Sequence, residues 1–187
     1  SCSFVAIEPQ TAHVKAWVGD IDFNHWKYDK VTAQRQPGST FKLFVYTEAM
    51  EQGLTPCDKR RDEFFSMKVW DEKEKKEVTW SPTNANGYFS GDSMPLRSAF
   101  SQSINSVAMR VGQEMGIKNI IETAKAMGIK SPLDDAPSLS LGASDVNLLE
   151  LANAYSTVAN EGKAHPEAIL VTRILDRDGN ELYTAPA

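Results

Sequence analysis

The stretch that follows Ser39 constrains the fold most. Phe41, Phe44, Val45, Tyr46 and Ala49 put apolar side chains on most sides of one helical pattern. A surface helix carries a single apolar stripe, so a helix of this kind must be buried nearly all round, with other layers packed about it. The pattern opens after the break Pro37-Gly38, runs to about Gln52 and stops at Gly53, a residue suited to a left-handed helix end.

Around that helix the chain alternates between strand and helix patterns. Phe4–Ile7 and Val14–Val18 flank a turn at Pro9 to Ala12 and read as a hairpin. Asp20 to Gln36 reads as a surface loop with aromatics at Phe23, Trp26 and Tyr28. Lys68 to Trp70 and Val78 to Trp80 flank the mixed-charge run Asp71 to Glu77, which reads as a solvated hairpin tip. Helical patterns follow over Leu96 to Gln102, over Val107 to Met115 with a stop at Gly116, and over Asn119 to Met127 with a stop at Gly128. Asn147 with Glu150 three residues on has capping-box spacing, and the helix it opens ends at Gly162. Ile169 to Thr172 and Glu181 to Tyr183 frame a last hairpin. Strands, then helices, then a terminal hairpin predict one α+β or α/β domain with a helical cluster.

Composition removes several function classes. The net charge is -5, and 41% of the 187 residues are hydrophobic and 24% charged, as in ordinary globular domains. The Lys and Arg residues are scattered, so no basic stripe exists for nucleic acid. No apolar run reaches the length of a membrane span. The start Ser1-Cys2-Ser3-Phe4, without Met and entering a strand pattern, reads as a piece of a longer protein. Cys2 and Cys57 allow one bridge or two free thiols, and His13, His25 and His165 lack any paired spacing, so no metal site is expected.

Two short constellations carry chemistry. Ser39 and Lys42 form the only Ser-x-x-Lys in the chain, at a helix start, where free N–H groups and a positive dipole end can stabilise an oxyanion. Lys42 lies one turn on, on the same face, and burial would depress its pKa far enough for it to serve as a base. The plain alternative is a capping serine with a surface lysine. Ser103-Ile104-Asn105 lies between two helical patterns. In an extended segment Ser103 and Asn105 share a side, where Ser103 can relay a proton and Asn105 can hold Lys42. The plain alternative there is a pair of helix-capping polar residues.

Together these motifs resemble the serine acyl-transfer set Ser-x-x-Lys, Ser-x-Asn and Lys-Thr-Gly. Arg35-Gln36-Pro37-Gly38-Ser39-Thr40-Phe41-Lys42, Trp80-Ser81-Pro82-Thr83-Asn84, Ser103 to Ala108, Leu141-Gly142-Ala143-Ser144 and Leu149-Glu150-Leu151-Ala152 resemble segments of class A penicillin-binding proteins, in the family's order. The resemblance implies a β-lactamase/transpeptidase-like fold, with a helical cluster against an antiparallel sheet. It implies a D,D-transpeptidase for peptidoglycan stem peptides ending in D-Ala-D-Ala, blocked by β-lactams, on the outer face of the cytoplasmic membrane of a bacterial envelope. Ser39 would be the nucleophile, Lys42 its base, Ser103 the proton relay and Asn105 the group that orders Lys42 and the substrate amide. No metal or organic cofactor is implied.

The chain departs from the pattern in one respect. It contains no Lys-Thr-Gly; the nearest match is Lys130-Ser131-Pro132. In the family that motif lies on a strand beyond the terminal hairpin and supplies one wall of the cleft. The 187 residues therefore read as a partial transpeptidase domain, without the later sheet strands, the glycosyltransferase domain or the membrane anchor, and are expected to acylate poorly alone. The competing readings are a non-catalytic β-lactam sensor and a D,D-carboxypeptidase or β-lactamase relative.

Overall fold

A computed structural model describes residues 2–25, 27–71 and 73–186. In chain order the elements are β1 (Phe4–Ile7), β2 (Val14–Val18), a 3-10 turn (Gly38–Phe41), α1 (Lys42–Glu51), β3 (Lys59–Arg61), β4 (Met67–Asp71), β5 (Lys76–Trp80), β6 (Ser93–Pro95), α2 (Leu96–Ser101), α3 (Asn105–Met115), α4 (Ile117–Ala126), a second 3-10 turn (Pro137–Leu141), α5 (Leu148–Ala159), β7 (Arg173–Leu175) and β8 (Glu181–Thr184). The mixture of helices and antiparallel strands is the α/β class that was expected. The strands, however, pair as four two-stranded ribbons among the described residues, β1–β2, β3–β6, β4–β5 and β7–β8, and not as one broad sheet.

The chain forms two compact units. The first comprises Ser1–Arg35, Ala124–Ser131 and Val146–Ala187. Its β1–β2 ribbon pairs Phe4 with Val18 and Ala6 with Ala16, and α5 packs against β1. The capping box of α5 is formed: the Asn147 side chain accepts from the Glu150 N–H at 2.9 Å, and Glu150 accepts from the Asn147 N–H at 3.0 Å. The helix stops before Gly162 as expected, and Glu161, at φ 56°, takes a left-handed conformation alongside Gly162, at φ 84°. The last hairpin is shifted. Ile169 is held by the Val14 N–H and by the Ala12 carbonyl, so the strand starts later, at Arg173. Asp176 then folds the turn tightly, accepting from the Asp178 and Asn180 N–H groups at 2.8 Å each.

The second unit comprises Gln36–Thr123 and Pro132–Asp145. Here α1 is buried as its all-round apolar pattern requires: Phe41, Phe44, Val45 and Ala49 are each 0% exposed. α1 packs against α3 and α2, whose Val107, Met109, Val111, Leu96 and Ala99 complete the core. The helix ends at Gly53, φ 97°, where the Gly53 N–H reaches the Met50 carbonyl and the Leu54 N–H reaches that of Ala49, a Schellman end. The mixed-charge tip joins β4 to β5 as expected, although Glu72 lies outside the described residues, as does Trp26 of the expected loop. The short ribbon β3–β6 was not legible, because its residues Lys59-Arg60-Arg61 and Ser93-Met94-Pro95 have no strand pattern.

Among the described residues no helix is long and apolar enough to cross a membrane, and no group of His, Cys, Asp and Glu could hold a metal ion. Cys2 and Cys57 are free and exposed. His25 is exposed, while His13 and His165 are half-buried, and His165 Nε2 lies 3.1 Å from the carbonyl oxygens of Pro9 and Gln10.

Candidate functional site

All four candidate residues, Ser39, Lys42, Ser103 and Asn105, belong to the second unit. Ser39 is the second residue of the 3-10 turn and is exposed. Its carbonyl accepts the Lys42 N–H, which sets Lys42 one turn on. The approach to Ser39 is built from two glycines. Gly38, at φ 57°, donates its N–H to the Gly142 carbonyl at 3.3 Å. Gly142, at φ 77°, comes so close that a Cβ there would lie 2.1 Å from the Gly38 oxygen and 2.7 Å from its nitrogen. Only glycine allows that contact. Gly142→Ala is therefore expected to cost on the order of 3 kcal/mol, combining backbone strain with a clash that must move the turn bearing Ser39. Gly53→Ala, with a similar φ but no atom within 4 Å, is expected to cost about 1 kcal/mol. Thermal unfolding of the pair measures the difference, and equal losses would refute the close approach.

Lys42 is buried, with 1% of its surface exposed. Its Nζ donates to the Ser103 carbonyl at 2.9 Å, to Ser103 Oγ at 3.0 Å and to Asn105 Oδ1 at 2.6 Å. Three acceptors match the three protons of an ammonium. None of the ion pairs among the described residues includes Lys42. Burial without a countercharge lowers its pKa from the usual 10.5 to about 8. The surface-lysine alternative is thereby excluded.

Ser103 and Asn105 meet Lys42 as expected, but by another route than an extended segment. Ser103 has φ 55°, a left-handed conformation unusual for a residue with a side chain. It closes α2 in a Schellman turn: the Ser103 N–H donates to the Phe100 carbonyl and the Ile104 N–H to that of Ala99. The turn aims both the hydroxyl and the carbonyl of Ser103 at Lys42. Ile104 is extended, and Asn105 is already the first residue of α3. Its Nδ2 donates to the Thr83 carbonyl at 2.8 Å, which leaves Oδ1 for Lys42.

Lys130-Ser131-Pro132 has a structural role. The N–H groups of Lys130 and Ser131 donate to Glu150 Oε2 at 2.8 and 3.0 Å, the Ser131 hydroxyl donates to Glu150 Oε1, and Lys130 pairs with Glu167 at 2.9 Å. Lys130, Ser131, Glu150 and Glu167 all belong to the first unit.

The buried lysine one turn from an exposed serine narrows the comparison with known proteins. The family model of the penicillin binding protein transpeptidase domain matches residues 2–180. The chain belongs to the penicillin-binding protein transpeptidase family. Penicillin-binding protein 2D of Bacillus subtilis is 36% identical over 184 residues, which cover 98% of this chain and 26% of that protein. Penicillin-binding protein 1A of Rickettsia prowazekii is 35% identical over 182 residues, covering 97% and 22%. The chain thus spans about a quarter of the length of these relatives. Among solved structures, penicillin-binding protein 1A from Haemophilus influenzae superposes with a TM-score of 0.81 at 29% identity, over 98% of this chain and 27% of that one. The PonA1 protein from Mycobacterium tuberculosis, solved in complex with penicillin V, has the same fold, with a TM-score of 0.81 at 22% identity over 97% of this chain and 49% of that one.

Sequence reasoning singled out Ser39, Lys42, Ser103 and Asn105, and the last three meet in the structure, but it missed what holds them. The Leu141-Gly142 segment stood out in the sequence, yet its contact with Gly38 was not visible there. The Trp80 to Asn84 segment stood out as well, yet the bond from Asn105 to the Thr83 carbonyl was not visible there, and Asp62 behind it carried no signal.

Proposed function

We propose that this chain carries the nucleophilic part of a peptidoglycan D,D-transpeptidase. The observation that supports it most is the Lys42 amine, buried, without an ion-pair partner among the described residues and bonded to Ser103 and Asn105, one turn from an exposed Ser39.

The steps follow from the hydrogen-bond inventory. As an ammonium, Lys42 spends all three protons on its acceptors. On losing one it has two protons left and a lone pair free to accept from Ser39. The Ser39 oxygen then attacks the carbonyl of the penultimate D-Ala of a stem peptide. An ester bond forms, the C–N bond to the terminal D-Ala breaks, and the proton passes from Lys42 through the Ser103 hydroxyl to the departing amine. Asn105 keeps Lys42 in line and contacts the substrate amide. An amine of a neighbouring stem attacks the ester, the cross-link forms, and Ser39 recovers its proton. A β-lactam follows the first half of this course, but its leaving amine remains tethered. The 3-10 turn supplies N–H donors near the developing oxyanion. The chemistry needs no metal or organic cofactor.

We infer that this work is done on the outer face of the cytoplasmic membrane of a bacterium, a reading supported by membership of the penicillin-binding protein transpeptidase family. The 187 residues contain no Lys-Thr-Gly, so we assign the activity to the full-length protein. The test incubates that protein with a D-Ala-D-Ala-terminated stem-peptide analogue and a D-amino acid acceptor. Exchange of the terminal residue for the acceptor is expected to outpace hydrolysis. Release of D-Ala with water as the only acceptor would favour a carboxypeptidase, and binding of a penicillin with no turnover of the analogue would favour a sensor.

A further inference from the structure

Asp62 is buried, 3% exposed, just beyond β3. It forms no ion pair among those of the described residues. Its Oδ1 accepts from Asn84 Nδ2 at 2.8 Å and from the Ser106 hydroxyl at 2.6 Å, and its Oδ2 accepts from the Ser90 N–H at 2.9 Å. Its own N–H donates to the Asp92 carbonyl at 2.9 Å and its carbonyl accepts from the Gly91 N–H at 2.8 Å, so the carboxylate sits on a fixed backbone. Burial acts to raise the carboxyl pKa, but the donors from Ser106, the Ser90 N–H and Asn84 outweigh it and hold the group below the ordinary carboxylate range. A buried charge without a counterion is costly unless hydrogen-bond donors compensate it, and here three donors do.

Its two partners flank one particular bond. Asn84 follows Thr83, whose carbonyl accepts from Asn105 Nδ2. Ser106 follows Asn105. Asn84 and Ser106 are also joined directly, the Ser106 N–H donating to Asn84 Oδ1 at 3.1 Å, while Asn84 Nδ2 reaches the Tyr88 carbonyl at 2.8 Å. One carboxylate oxygen therefore clamps the neighbours at both ends of the Thr83–Asn105 contact. That contact decides which end of the Asn105 amide faces Lys42, because Nδ2 toward Thr83 leaves Oδ1 toward Nζ.

We propose that Asp62 is a positioning residue for acyl transfer, fixing the orientation of the Asn105 amide and, through it, the place of the Lys42 amine. Asp62 touches neither substrate nor the reacting atoms and acts only through Asn105. The inference rests on the acyl-transfer reading of this site. A merely structural carboxylate would affect stability and every function together, whereas a positioning one acts on the acylation step and requires Asn105.

A double-mutant cycle in the full-length protein tests this, with benzylpenicillin as the probe and stopped-flow separation of reversible binding from the acylation rate constant. Asp62→Asn is expected to lower the acylation rate constant by at least about tenfold while reversible binding is unchanged. In an Asn105→Ala background the same substitution is expected to add almost nothing. Ser106→Ala, which removes one donor and keeps the carboxylate, should repeat the pattern with a smaller loss if Asp62→Asn does not fold. Additive losses in both backgrounds, or a loss in binding and acylation alike, would overturn the inference while leaving the site reading intact. An Asn105→Ala variant that acylates at the normal rate would overturn the site reading and this inference with it.

Discussion

Replacing Lys42 by methionine in the full-length protein is expected to slow acylation by penicillin on the order of a thousandfold, with the protein still folded. Methionine matches the length and volume of the buried side chain but cannot accept a proton. The wild type should show the matching pH dependence. Its acylation rate climbs with pH through about 8 as one proton leaves Lys42, and the methionine variant has no such rise. Stability carries the same signature with a definite sign. The folded pKa of about 8 lies below the usual 10.5, so between those values the unfolded chain binds more protons than the folded one. The penalty of burying the ammonium, about 3 kcal/mol, is fully present below pH 8 and is relieved as pH rises toward 10.5. Denaturant unfolding across that range should therefore show the wild type gaining on the methionine variant by about 3 kcal/mol. Parallel stability curves would mean that Lys42 titrates normally.

Ser103 is expected to separate activity from stability. Ser103→Ala and Ser103→Gly both delete the hydroxyl that accepts from Lys42, and both should lower acylation by about a hundredfold through loss of the proton relay. They differ in the backbone. At φ 55° alanine retains the left-handed strain and glycine does not, so the glycine variant should be the more stable by about 1 kcal/mol. Equal melting points for the two variants would show that the turn is unstrained.

These effects also mark what was legible in the sequence. Burial of Lys42 followed from the apolar residues on most sides of α1, because helix periodicity is a local property. The stops at Gly53, Gly116 and Gly128 were readable for the same reason, since a left-handed helix end writes glycine into the chain. Where another residue takes that conformation with no glycine beside it, as at Ser103, the signal vanishes, and Ser103 was expected in an extended segment. The Gly38–Gly142 approach and the Asp62 clamp join residues far apart in the chain, with no periodic pattern between them. Asp62 sits in a polar stretch that reads as surface, and its burial depends on Asn84 and Ser90 from the loop between β5 and β6 and on Ser106 from α3. Tertiary contacts of this kind have no local trace, although they hold the local motifs in working order.

The most direct measurement is the position of the covalent adduct. The full-length protein is treated with benzylpenicillin, digested, and its peptides weighed. A single added penicilloyl group on the peptide containing Ser39 is expected, and it should be absent from a Ser39→Ala variant of normal melting point. An adduct on Ser103 or elsewhere, or undiminished labelling of Ser39→Ala, would contradict the assignment of Ser39 as the nucleophile that Lys42 activates.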